Sequence, residues 1–317
     1  MNRKSLVIAI IAALILVVGI GAVAAATPPA RGGQNGGGQN GGGQNGTTQT
    51  GTTQNANARG GQNGGGQNGG GQNGGGQNGG VQTGGVQAIR IQCDVGQVNN
   101  VDPIVMPGMA GMSHYHQFFG NLSTDENTTT ASLLANRPST CRNRADFSAY
   151  WAPQLWQGST AIAPTSMTVL YAKTVTSAVV AHPAGMALIA GNAKAATAQD
   201  LSVVSWYCGN NVQNAAATPQ ACTDNQDLVG LIRFPECWNG KDLDSADHKS
   251  HVTYAVNGVC ATGTVALPQI QMHIHYPAQT NVSTLALASG SIFSLHADFM
   301  NGWNQRAFER QVAQRLR

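Results

Sequence analysis

The chain has 317 residues, of which 10% are charged and 41 are glycine, with a formal net charge of +3. Four of the seventeen basic residues, Arg3, Lys4, Arg31 and Arg59, precede residue 87, which leaves thirteen against all fourteen acids, a net of −1 for the remainder. With no basic block and no interleaving of aromatic with basic residues, that remainder carries no electrostatic footprint for nucleic acid.

Arg3 and Lys4 lead into an apolar run from Leu6 to Val23 and then Ala24-Ala25-Ala26. This is the n-region, h-region and small-residue cleavage pattern of a secretory signal over residues 1–26. The run is also long enough for an uncleaved N-terminal anchor, since about 20 apolar residues span a bilayer, and it is the one route to a membrane in the sequence. Residues 27–86 are mostly Gly, Gln, Asn and Thr, with Gly-Gly-Gly-Gln-Asn recurring in two blocks. Such a segment buries no core to offset the entropy of ordering it, so a disordered tether is expected. Its root-mean-square reach is roughly 40 Å. An extracellular or cell-surface location follows from the two segments together.

Residues 87–317 hold all six cysteines, Cys93, Cys141, Cys208, Cys222, Cys237 and Cys260, with no C-x-x-C pair. An even count behind a signal favours disulfides over a thiolate metal site. Sequential pairing, Cys93 with Cys141, Cys208 with Cys222 and Cys237 with Cys260, closes short loops and is the expected arrangement. Strands are predicted over Ser166 to Ala172, Met186 to Ala190, Leu201 to Cys208, Val252 to Val256, Gln269 to Tyr276, Ser283 to Ala288 and Ser291 to Phe299, separated by Gly, Asn, Pro and Thr. The fold class is therefore mainly β, a single sandwich-like domain with disulfides and long loops. Ile270, Met272, Ile274 and Tyr276 alternate with Gln269, Gln271, His273 and His275, which predicts a core face and a polar face open to solvent. Phe308, Val312 and Leu316 recur at helical spacing and predict a short C-terminal helix within Asn304 to Arg317.

Seven of the eight histidines fall in four clusters: His114 with His116, His248 with His251, His273 with His275, and His296 beside Asp298. His182, alone in Ala181-His182-Pro183, reads as structural or exposed. The other motifs carry a resemblance. Asp102-Pro103-Ile104-Val105, Ser113-His114-Tyr115-His116, Tyr150-Trp151-Ala152-Pro153-Gln154-Leu155, Phe234-Pro235-Glu236-Cys237-Trp238-Asn239-Gly240, Asp247-His248-Lys249-Ser250-His251 and His296-Ala297-Asp298-Phe299-Met300-Asn301-Gly302-Trp303 occur in that order. The stretch from about Cys93 onward is similar to a family of secreted fungal and bacterial proteins known only as a domain of unknown function. Its fungal members are often joined to WSC-type carbohydrate-binding modules. The resemblance implies an extracellular setting and no established activity.

The residues allow two chemistries. His114 and His116 project from one face if extended, and with His251 and a carboxylate such as Asp298 or Asp102 could hold a divalent transition metal. Alternatively, His116, His248, His251 and His296 as proton carriers, with Asp298 and Tyr150, could serve a polysaccharide hydrolase or lyase without metal. Trp151, Trp238 and Trp303 would then offer flat platforms for sugar rings, and Gln154, Asn239 and Asn301 hydrogen bonds to hydroxyls, although tryptophans more often pack in cores. There is no G-x-S-x-G elbow, and the Gly-rich tether lacks the strand and helix context of a phosphate loop. The expected function is binding or processing of polysaccharide or cell-wall material through a His/Asp/Trp-lined cleft. The competing reading is a non-catalytic metal-binding or structural surface protein.

Overall fold

A computed structural model describes residues 85–317 apart from 136 and 224. The expected signal and nearly all of the expected tether lie outside the described residues. In chain order the strands begin with β1 (Ala88–Cys93), β2 (Val95–Asn99), β3 (His116–Gly120), β4 (Ala149–Pro153), β5 (Leu155–Gln157), β6 (Thr160–Ile162), β7 (Ser166–Ala172) and β8 (Ala187–Gly191). They continue with β9 (Val204–Cys208), β10 (Leu228–Arg233), β11 (Cys237–Trp238), β12 (Val252–Thr253), β13 (Val265–Ala266), β14 (Gln269–Tyr276), β15 (Leu285–Leu287) and β16 (His296–Met300). Two α-helices, α1 (Thr130–Ala135) and α2 (Gln305–Arg315), and two 3-10 turns, Val212–Asn214 and Ile292–Ser294, are the other regular elements among the described residues.

Two five-stranded sheets, ordered β1-β7-β14-β10-β9 and β2-β3-β4-β16-β8, carry the architecture, with two three-stranded sheets at their margins. The core follows from strand alternation. Ile270, Met272, Ile274 and Tyr276 of β14 face inward as their spacing predicts, and Tyr150, Ala152, Ala297 and Phe299 meet them from β4 and β16 of the second sheet. Each such buried aliphatic or aromatic side chain contributes about 1.5–3 kcal/mol relative to exposure. The result is a β sandwich in a single domain.

A polar chain crosses this core. Trp303 Nε1 donates to Tyr171 Oη (2.9 Å), Tyr171 lies 2.6 Å from Tyr150 Oη, and Tyr150 donates to Asp146 Oδ2 at 2.8 Å. Asp146 also accepts from the Ser148 amide at 3.1 Å, and its burial pushes its pKa up to about 6. Each donor finds an acceptor, so no donor of the chain is buried unpaired, although these bonds do not offset the burial of the Asp146 carboxylate.

The expected disulfides all form: Cys93–Cys141, Cys208–Cys222 and Cys237–Cys260. Helix α2 sits where the spacing places it; Asn304 caps it by accepting from the Ala307 amide, and Phe308, Val312 and Leu316 are buried. Phe308 stacks on Trp303, the ring centroids 4.6 Å apart.

Two expectations need correction. The polar face of β14 is covered: His273 is buried and lies 2.7 Å from Tyr207 Oη, while His275 lies 3.4 Å from Asp227. Alternation separates the two faces of a strand but does not say whether the second is open to water. The run from Ser291 to Phe299 divides into a 3-10 turn, Ile292–Ser294, and β16, so its alternation begins only at His296.

Candidate metal centre

The outer face of the second sheet, away from the sandwich core, holds the chemistry. His116 and Phe118 of β3, Trp151 of β4, and His296 and Asp298 of β16 alternate with core-facing neighbours, so all point outward. β3 and β16 flank β4 in the sheet. Val101, Ile104 and Leu133 of α1 pack over this face with Phe118, Trp151 and Met300, which buries it. His114 enters from the segment just before β3, and Asp102 from further back in the same segment.

Ligating atoms of His114, His116 and His296 all lie within 4.8 Å of one another, and so do those of Asp102, His116 and Asp298. The two groups share His116. His114 Nε2 lies 3.3 Å from His296 Nε2, and the rings of His114 and His116 are 4.2 Å apart by centroid. Two imidazole nitrogens bound to one tetrahedral ion at about 2.0–2.1 Å stand roughly 3.3 Å apart, so this pair already has ligand spacing.

The tautomers agree with that geometry. His116 Nδ1 is 3.0 Å from the Val101 carbonyl and His296 Nδ1 is 2.8 Å from the Ser294 carbonyl. A carbonyl only accepts, so both Nδ1 atoms carry the proton and both Nε2 atoms present a lone pair to the cluster. Such backbone anchoring is how metal-binding histidines are held. His116 Nε2 has no hydrogen-bond partner, and neither has Asp298 Oδ2, although both are buried. Asp102 spends Oδ1 on the amides of Ile104 and Val105, each at 3.0 Å.

The electrostatics point the same way. Burial holds the pKa of His114 down and that of His116 well down, and pushes His296 to about 4. The imidazoles are therefore neutral and able to ligate. Burial, reinforced by the Asp102 carboxylate, pushes Asp298 well above the ordinary carboxylate range. Burial also raises Asp102. His296 Nε2 and Asp298 Oδ2, 4.0 Å apart, are not hydrogen-bonded, and their shifts run opposite to those of an ion pair. Two buried carboxyls among neutral imidazoles form a site short of positive charge.

The other sequence-predicted residues fall elsewhere. His251, expected among the ligands, has both nitrogens engaged, Nε2 with the Ala187 carbonyl at 2.8 Å and Nδ1 with Ser245 Oγ at 2.9 Å. His248 bonds Asp244 at 2.8 Å in the partly exposed 244–250 loop, near enough to Asp102 to favour its charged form. Tyr150, considered as an acid, and Trp303, considered as a platform, belong to the buried core chain, and Trp151 is stacked under Phe118 with no exposed face. Gln154 donates to the carbonyls of Leu155 and Ile162, and Asn301 to those of His182 and Pro183. Of the three tryptophans considered as platforms, only Trp238 is partly exposed, with Nε1 bonded to the Asp242 carbonyl beside Asn239. His296, grouped by sequence with proton carriers, stands among the ligating atoms. Its alternation with Asp298 along one strand face is the signal for that role.

A groove of about 320 Å³ adjoins the cluster, lined by Gly191, Asn192, Asp200, Lys249 and Tyr254 among others. Gly191 is the register partner of His296, and Lys249 Nζ donates to the Gly191 carbonyl at 3.0 Å. The groove thus begins one strand away from the ligating atoms.

No curated protein and no solved structure matches the chain. Residues 102–303 match the family model described as Domain of unknown function (DUF1996), a span that starts at Asp102 in the cluster and ends at Trp303 in the core. The chain therefore belongs to the DUF1996 family.

Proposed function

We propose that this is an extracellular or surface-tethered protein whose Asp102, His114, His116, His296 and Asp298 hold a divalent transition-metal ion. The observation that carries the reading is the convergence of ligating atoms: a 3.3 Å imidazole pair, an unpartnered His116 Nε2 and an unpartnered, buried Asp298 Oδ2. A cation would neutralise the carboxyls and saturate the nitrogens together. Three neutral imidazoles with carboxylate oxygen suit zinc, copper, iron or nickel rather than magnesium or calcium. The three disulfides support the extracellular setting. The test is elemental analysis of the full chain after chelation, reloading and desalting, beside His116→Ala. Near-stoichiometric metal in the parent and its loss in a folded variant is the expected result; substoichiometric metal in the parent sinks the proposal.

The adjoining groove favours a second layer to this reading, in which polysaccharide or cell-wall material lies against the centre. Tyr254 offers an aromatic surface for a sugar ring, and Asn192, Asp200 and Lys249 offer hydrogen bonds to hydroxyls. A metal so placed supplies Lewis-acid or water-activating chemistry. Glycan-array binding weakened by Tyr254→Ala supports this layer, with reducing-end release marking a hydrolase and new unsaturation a lyase. An array that binds nothing removes it and leaves the metal centre standing.

A further inference from the structure

The segment that links Asp102 to His114 reads Asp102-Pro103-Ile104-Val105-Met106-Pro107-Gly108-Met109-Ala110-Gly111-Met112-Ser113-His114. Three methionines occur at intervals of three. The backbone makes that spacing meaningful. The Met109 amide donates to the Met106 carbonyl at 3.2 Å, and the Met112 amide to the Met109 carbonyl at 3.4 Å. Gly108 and Gly111, third in each four-residue unit, have φ of +73° and +74°. Pro107 and Ala110 stand second, neither with positive φ. These are two consecutive type II turns sharing Met109, and each requires its glycine.

In a β-turn the first and fourth Cα atoms lie within about 7 Å. Met106, Met109 and Met112 therefore occupy successive corners of one compact ribbon. Their side chains do not serve the core: Met109 is 55% exposed and Met112 65% exposed, while Met106 is half-buried. The base of the ribbon is fastened, with the Met106 amide on the Asp102 carbonyl at 3.0 Å, the Gly108 amide on that of Glu126 at 2.8 Å and the Ser113 amide on that of Asn100 at 3.4 Å. A fastened ribbon that displays flexible thioethers presents soft donors at a fixed place.

We infer that Met106, Met109 and Met112 form a thioether site for monovalent copper at the mouth of the His/Asp centre. Thioether sulfur selects Cu(I) over the harder ions of an extracellular medium, and three neutral sulfurs satisfy its preference for few, polarisable ligands. The location supplies the purpose. The ribbon starts at Asp102 and runs into His114, which is half-buried while His116 and His296 are fully covered. An ion held on the ribbon is thus next to the imidazole that leads inward. No electron transfer is involved: Cu(I) is captured and held on the ribbon as Cu(I).

The inference extends the metal-centre reading, and the two are separable by experiment. The full chain is titrated anaerobically with Cu(I) against a chromophoric Cu(I) chelator, in parallel with the triple variant Met106→Leu, Met109→Leu, Met112→Leu and with His116→Ala. Leucine keeps size and apolarity and removes only the sulfur. The parent is expected to withdraw one more equivalent from the chelator than the triple variant, and His116→Ala to retain that equivalent. X-ray absorption of the one-equivalent complex of His116→Ala is expected to show sulfur scatterers. Equal uptake by parent and triple variant, or a first shell of nitrogen and oxygen alone in His116→Ala, overturns the inference. Failure of the His/Asp centre to retain a divalent metal leaves these outcomes unchanged.

Discussion

Asp298→Asn separates a metal centre from a merely buried polar cluster. Asp298 is 1% exposed, its Oδ2 has no partner, and burial beside Asp102 raises its pKa well above the ordinary range. In metal-free protein at pH 7 the side chain is therefore a liability, because a carboxyl whose folded pKa is raised loses stability as pH climbs from its unfolded pKa toward the folded one. Asparagine keeps the shape and has no charge to desolvate, so metal-free Asp298→Asn should melt at or above the parent. With metal the order reverses. An ion binding only the folded state at a concentration 100 times Kd adds about 2.7 kcal/mol. For a domain of this size that corresponds to roughly 5–11 °C in Tm. If loss of the carboxylate weakens affinity about 100-fold, the same concentration is near Kd and adds only about 0.4 kcal/mol, or roughly 1–2 °C. The assay is differential scanning calorimetry of both proteins with chelator and with graded zinc or copper. Equal metal-induced shifts in parent and variant, or a metal-free variant several degrees below the parent, would refute the reasoning.

Other outcomes follow from the fold. Replacing Cys93 and Cys141 together by Ser opens a loop with a sequence separation of 48, and loop entropy puts the cost at about 4 kcal/mol; denaturant midpoints no lower than those of the Cys208/Cys222 double variant, whose loop of 14 implies about 3 kcal/mol, would contradict that ordering. His182 is fully buried with neither ring nitrogen partnered, stacked on Phe308, and burial takes its pKa down to about 3. The unfolded chain protonates it first, so stability is intact above pH 6.5 and falls as pH drops toward 3, by about 2 kcal/mol at pH 5 from this residue alone. His182→Phe should flatten that part of the stability–pH profile, measured by urea unfolding between pH 4 and 7. At Gly120 the φ is +81° and an added Cβ would meet the Ser148 carbonyl oxygen at 2.2 Å. Gly120→Ala should therefore cost more than about 2 kcal/mol by the same unfolding assay, from the left-handed backbone and the displaced β3–β4 pair.

What could be read directly from the chain was local and periodic. The alternation of Ile270, Met272, Ile274 and Tyr276 located a strand and its core face, because side chains on a strand alternate sides whatever surrounds them. The spacing of Phe308, Val312 and Leu316 did the same for α2, and cysteine order matched disulfide pairing because each loop closes within its neighbourhood. His114 with His116 and His296 with Asp298 were recognisable as pairs for the same reason.

Tertiary structure alone decided which pairs meet and what covers them. His116 and His296 are 180 residues apart in sequence and converge only because β3 and β16 flank β4. His248 and His251 look equivalent in sequence, yet the His251 nitrogens are taken by Ser245 and Ala187. The covering of the outer sheet faces, which buries His273 and strands Asp298 without a partner, depends on segments distant in the chain. Periodicity assigns a residue to a face; only the packing of another element against that face fixes its solvent, its pKa and its partners.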